Sequence, residues 1–167
     1  MLPPRRPRAP RTKILAAGRV EAALVRVRRS RKVVFTNGVF DLLHPGHVRL
    51  LSAARRLGDI LVVGMNSDAS VRRLKGPDRP FMKQKERAWM LAALESVDYV
   101  VMFTQDTPAR LIEKVRPDVL VKGGDWSRGN IVGREIVEAG GGRVVRIPLV
   151  KGHSTTRLAG KVRGRSR

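Results

Sequence analysis

The stretch VVFTNGVFDLLHPGH, residues 33–47, decides how this chain folds. It opens on the β-branched and aromatic run Val33 to Thr36, breaks at Asn37-Gly38, and leads into residues 48–57, where apolar residues recur at helical spacing. A strand, a glycine turn and a helix in that order suit a phosphate. Gly38 lets the backbone approach a ligand closely, Pro45 and Gly46 fit the turn, and a helix start offers unpaired N–H groups and a positive dipole end. His44 and His47 stand three residues apart, so both imidazoles can face one anion. Two histidines near a helix start, if they stood alone, would be better read as packing, capping or an adventitious metal site. Their place directly after a strand, the Asn-Gly and Phe-Asp flanks, and a second phosphate candidate downstream favour function.

Beyond this stretch, Ile60 to Met65, Tyr99 to Phe103, Val119 to Val121 and Val144 to Ile147 also read as strands, with helical stretches between them. Nearly continuous apolar strands need cover on both faces, and strand-helix-strand crossovers are right-handed. The expected architecture is a Rossmann-like, doubly wound α/β sandwich on a five-stranded parallel sheet. Residues 14–27 read as one short amphipathic helix packed against it. Ligands collect at the carboxyl ends of such strands, which brings together the loop after the first strand, the KGGDW segment (122–126) and the GHSTT segment (152–156). In the last of these, Ser154, Thr155, Thr156 and the adjacent Arg157 provide more donors than an ordinary helix cap uses.

Composition narrows the chemistry. A chain of 167 residues is read as a single domain, and its complete lack of cysteine removes disulfides, thiolate metal sites and thiol nucleophiles together. There is no apolar run of membrane-spanning length. The net charge is +21. Nine of the cations, from Arg5, Arg6, Arg8, Arg11 and Lys13 to Lys161, Arg163, Arg165 and Arg167, are read as lying in arms outside the fold. The remaining excess favours anionic ligands, and a nucleotide with a sugar phosphate accounts for it as well as nucleic acid does. Neither G-x-x-x-x-G-K-[ST] nor G-x-G-x-x-G occurs, so a P-loop kinase or a dinucleotide oxidoreductase lacks its main support.

TNGVFDLLHPGH (36–47), NSD (66–68) and GHSTT (152–156) resemble the cytidylyltransferase-like nucleotidyltransferases, of the HxGH type. Within that group RLKGPDRP (73–80), ALESVDYVV (93–101) and VKGGDW (121–126) are similar to the bacterial branch that adenylylates D-glycero-β-D-manno-heptose 1-phosphate. The chain departs from that pattern at Phe81, Met82 and Lys83, where relatives often carry asparagine and proline, and at His153.

The resemblance implies transfer of AMP from ATP to the heptose phosphate, giving ADP-heptose and pyrophosphate, with Mg²⁺ on the triphosphate. It implies catalytic roles for His44, His47 and Lys75, and acceptor contacts from Arg79 and Arg87. Nucleotide contacts would come from Asn37, Gly38, Val39, Phe40, Asp41, Gly46, Gly123, Gly124, Asp125, Trp126, Ser154, Thr155 and Thr156. Asp41 fits either a place near the metal or a structural acceptor of backbone N–H groups. The implied organisation is a basic arm and short helix (1–30), a nucleotidyltransferase domain (31–160) and a basic tail (161–167). A cytoplasmic enzyme follows, possible as a homodimer, with its sugar kinase on a separate chain and no membrane partner. Two rivals remain: a cytidylyltransferase for glycerol 3-phosphate or a similar alcohol, and a basic nucleic-acid-binding module on an inactive fold of this type.

Overall fold

The computed structural model describes residues 8–25, 27–124, 131–148 and 160. After a single helical turn, α1 (Pro10–Lys13), the chain runs through β1 (Ile14–Leu15), a 3₁₀ turn (Ala17–Arg19) and α2 (Val20–Val25). The central elements are β2 (Val33–Gly38), α3 (Pro45–Arg55), β3 (Ile60–Asn66), α4 (Asp68–Lys75), α5 (Gln84–Ala93) and β4 (Tyr99–Phe103). Then come α6 (Ala109–Val115), β5 (Val119–Gly123), α7 (Arg134–Ala139) and β6 (Arg143–Ile147).

The strands form one parallel sheet in the order β1-β4-β3-β2-β5-β6. Every residue of β3 is buried, as the uninterrupted run ILVVGM requires of a strand covered on both faces. One face packs Val33, Phe35, Val62 and Leu120 against Val20 and Leu24 of α2, Leu111 and Ile112 of α6, and Val137 of α7. The other packs Val34, Leu61, Val63 and Val121 against Leu51 and Ala54 of α3 and Ala88 and Leu91 of α5. The doubly wound parallel sheet is therefore as expected.

The expected strand count of five was one short. Ile14 and Leu15 pair with Val100 and Val101, so the stretch read as a single helix begins as an edge strand and becomes helical only from Val20. Pairing with the open edge of β4 satisfies backbone groups that local periodicity cannot take into account. Lys13 is likewise part of the fold and not of a solvated arm. Its side chain is buried and donates from Nζ to the Leu94 carbonyl at the end of α5, while Arg8 lies over the Tyr99 ring.

At the amino ends of the strands, carboxylates seal the sheet. Asp118 accepts from the Val33 N–H at 2.7 Å, and Asp98 accepts from the Leu61 N–H at 2.9 Å while pairing with Arg55. The carboxyl ends are arranged differently. From β2 the chain winds outward through β3 and β4 and then returns to place β5 on the other side of β2. That reversal is the switch point where open α/β sheets form a ligand crevice.

Candidate active site

The loop leaving β2 at this switch point carries the two histidines. His44 is the N-cap of α3, in an extended conformation, and its Nδ1 accepts from the His47 N–H at 3.4 Å. Pro45 occupies the first helical turn, where its missing N–H costs no bond. One helical turn superimposes the imidazoles, which stack with centroids 3.8 Å apart and planes 19° from parallel. Phe40 supports His47 from beneath, its ring 5.2 Å away. To put that ring in the core, Phe40 takes a left-handed backbone (φ 48°), a conformation costly for a bulky side chain. Burial, followed by the neighbouring His44, lowers the His47 pKa to about 4 against the opposing influence of the Leu42 backbone. His47 is therefore neutral at neutral pH. Gly38 ends β2, and a Cβ there would come within 3.1 Å of the Phe40 ring; Gly46 is buried in the first turn of α3.

Asp41 is buried and holds two loops together. One carboxylate oxygen accepts from the N–H groups of Phe81 and Met82 at 2.7 and 3.1 Å, and the other lies 2.8 Å from Arg79 Nε. It thereby ties the 76–83 loop to the histidine loop. Arg79 also stacks its guanidinium over Phe81, 4.4 Å from the ring centroid.

Arg87 differs from its expected acceptor-facing role. Its side chain is fully buried, and it donates to the carbonyls of Met82, Val39 and Asn66 and to Asp68 at distances from 2.6 to 3.1 Å. An exposed-looking arginine in the sequence is an internal clamp, because two loops and the end of β3 present carbonyls to one planar fork. In the NSD segment, Asn66 donates to the Ser70 hydroxyl, Ser67 caps α4, and Asp68 exchanges bonds with Gln84. Lys75 is exposed at the end of α4, followed by Gly76 at φ 95°.

Sequence reasoning missed one residue here. Lys122, near the end of β5, reaches across to β2 and donates from Nζ to the Asn37 side-chain oxygen. Burial alone lowers its pKa to about 8. The signal was present as a lysine before paired glycines, but in a chain with 35 basic residues it did not stand out. Gly123 ends the strand, and Gly124, at φ 105°, donates its N–H to Ile147. Asp125, Trp126, Ser154, Thr155 and Thr156 lie outside the described residues.

Among the described residues no group of three or more His, Asp or Glu could hold a metal ion. A hard cation such as Mg²⁺ keeps several waters and binds chiefly through substrate phosphates, so it needs no protein cage. No helix among the described residues is long and apolar enough to cross a membrane.

Residues 35–147 match the Cytidylyltransferase-like family model. The protein named Bifunctional protein HldE from Syntrophotalea carbinolica is 59% identical over 135 residues, which is 81% of this chain and 28% of that one. Its namesake from Bradyrhizobium sp. (strain ORS 278) is 56% identical over 162 residues, 96% of this chain and 33% of that one. The chain thus spans about a third of the length of these curated relatives. Among solved structures, the lipopolysaccharide core biosynthesis protein of Thermoplasma volcanium superimposes with a TM-score of 0.60 at 25% identity. The match covers 74% of this chain and all of that one.

Proposed function

The chain belongs to the cytidylyltransferase-like family, and we propose that it transfers AMP from ATP to D-glycero-β-D-manno-heptose 1-phosphate, releasing pyrophosphate and ADP-heptose. The observation that carries this reading is the stacked His44–His47 pair at the start of α3, on the loop leaving the central strand at the switch point. The identity of more than half of all aligned positions with relatives named HldE supports the heptose substrate.

The chemistry follows from that placement. A phosphomonoester with a second pKa of about 6 is already an anionic nucleophile near neutrality, so the site must position it and offset its charge. His44 and His47 do this by donating N–H groups to the α-phosphate as charge shifts during in-line attack. A phosphate beside His47 favours its protonated form, opposing the burial that keeps it neutral in the free protein. The left-handed turn at Phe40 brings the backbone of Val39 and Phe40 toward the triphosphate. ATP enters as its Mg²⁺ complex, with Ser154, Thr155 and Thr156 on its terminal phosphates and Asp125 and Trp126 beside the nucleoside. Lys75, the exposed last residue of α4 before Gly76, closes on the reactants, and Arg79 borders the acceptor.

The relatives are named bifunctional and are about three times as long as the matched part. They do not support the expectation of a sugar kinase on a separate chain; an associated activity is placed on the same polypeptide in those proteins. The cytoplasmic setting and a homodimer belong to the same proposal.

Pyrophosphate release with Mg²⁺, crossing ATP and CTP against heptose 1-phosphate and glycerol 3-phosphate, tests the reading. Release with ATP and heptose 1-phosphate is expected, and the double variant His44→Ala/His47→Ala should be silent. Turnover confined to CTP with glycerol 3-phosphate would replace both substrates, and a fully active double variant would displace the site.

A further inference from the structure

Lys122 is a partly buried ammonium that, among the described residues, donates to a neutral amide, Asn37. From β2 it meets Asn37, from β6 its register neighbour is Arg146, and no carboxylate among the described residues lies within ion-pair distance. A cation taken out of water without an anion is costly. The well-buried guanidinium groups differ: Arg79 pairs with Asp41 and Arg87 with Asp68. Lys122 and Asn37 stand side by side at the carboxyl ends of β5 and β2, in register through Thr36 and Val121. They therefore flank the switch point itself, and Asn37 is followed directly by the Gly38 turn into the histidine loop.

We propose that Lys122 contacts a phosphate oxygen of the reactants, aimed by the Asn37 amide across the β2–β5 switch point. This rests on the nucleotidyltransferase reading of the site. The shared chemistry is a phosphate oxyanion, supplied either by the nucleotide or by the acceptor, and Asn37 is a positioning residue that holds the ammonium until the anion arrives. Because burial brings the ammonium within reach of deprotonation near pH 8, the charge that the contact needs is present in the free protein below that pH and lost above it. Both phosphate sources complete their own titrations below that range, so they do not mask it.

The test compares wild type, Lys122→Met and Lys122→Arg in pyrophosphate release from pH 6 to 9.5. Titration calorimetry with MgATP and, separately, with heptose 1-phosphate reads binding without turnover. Loss of one charge-assisted hydrogen bond predicts a fall in kcat/KM of about 10- to 150-fold in Lys122→Met. In wild type kcat/KM should decline above about pH 8, whereas Lys122→Arg, which keeps its charge, should retain most of the activity and lose that decline. Weaker MgATP binding in Lys122→Met assigns the nucleotide as the source, and weaker heptose 1-phosphate binding assigns the acceptor. Thermal melting distinguishes misfolding, and Lys122→Arg remains informative if Lys122→Met is unstable. Wild-type kinetics and binding in Lys122→Met, or an unchanged alkaline decline in Lys122→Arg, would overturn the proposal while His44→Ala still tests the function on its own. If wild type released no pyrophosphate, the function would fail separately, and unchanged calorimetry in Lys122→Met would then overturn the contact too.

Discussion

Two charged clusters border the loop that follows β2, and they are built on opposite principles. In the Asp41–Arg79–Arg87 cluster, each charge is answered inside the protein: Arg87 makes four hydrogen bonds and Asp41 holds two backbone N–H groups and a guanidinium. Around His44, His47 and Lys122, burial instead lowers the pKa of His47 and Lys122, and among the described residues no acidic side chain pairs with either. Paired charges hold a loop in place. Basic groups held without carboxylates leave their interaction free energy for an anion that arrives from outside.

If the first cluster is structural, removing its centre should cost stability before activity. Arg87→Met leaves the Val39, Asn66 and Met82 carbonyls and the Asp68 carboxylate without their donor, and breaking a buried pair from one side costs about 3–5 kcal/mol. Urea unfolding should show that loss; an unchanged midpoint with impaired catalysis would make Arg87 a ligand contact and dissolve the distinction. The second cluster should behave the other way. His44→Ala is expected to lower pyrophosphate release by about 100- to 1,000-fold, the scale of losing one donor to transition-state charge, with the melting temperature nearly kept.

Asp41→Asn sharpens the boundary between the clusters, since the amide oxygen can still accept from Phe81 and Met82 but no longer answers Arg79. A loss of about 1–3 kcal/mol in chemical unfolding is expected. Activity lost without any loss of stability would favour the ligand-side role for this carboxylate.

The smallest effect is a pH dependence. The folded-state pKa of His47, about 4, lies below the ordinary 6.5, so the unfolded chain binds a proton first as pH falls. Its stability contribution is complete above about pH 6.5 and is lost toward pH 4. The difference in melting temperature between wild type and His47→Asn should change across that window, and parallel curves would mean that His47 is not held neutral by burial.

The α/β class and most strands were legible because VVFT, ILVVGM and YVVMF carry their burial in their own letters. The histidine site was legible because its parts are close in sequence. Residues 14–15 and Lys13 were not, because an edge pairing with β4 and a carbonyl some 80 positions away decide their conformation. Arg87 and Lys122 failed for one shared reason. In a chain this basic, a cation's role depends on what surrounds it, and no spacing rule reports that.

Near neighbours and local periodicity thus specify most of the elements, the strand-loop-helix phosphate motif and the family resemblance. Which charges face one another depends instead on the three-dimensional arrangement. It sets Arg87 inward between two loops and the end of β3, makes Asp41 a tie for the 76–83 loop, and places Lys122 against Asn37, 85 residues away in the chain. Electrostatic free energy depends on distance and burial in space, and the order of residues along the chain specifies neither until the sheet has formed.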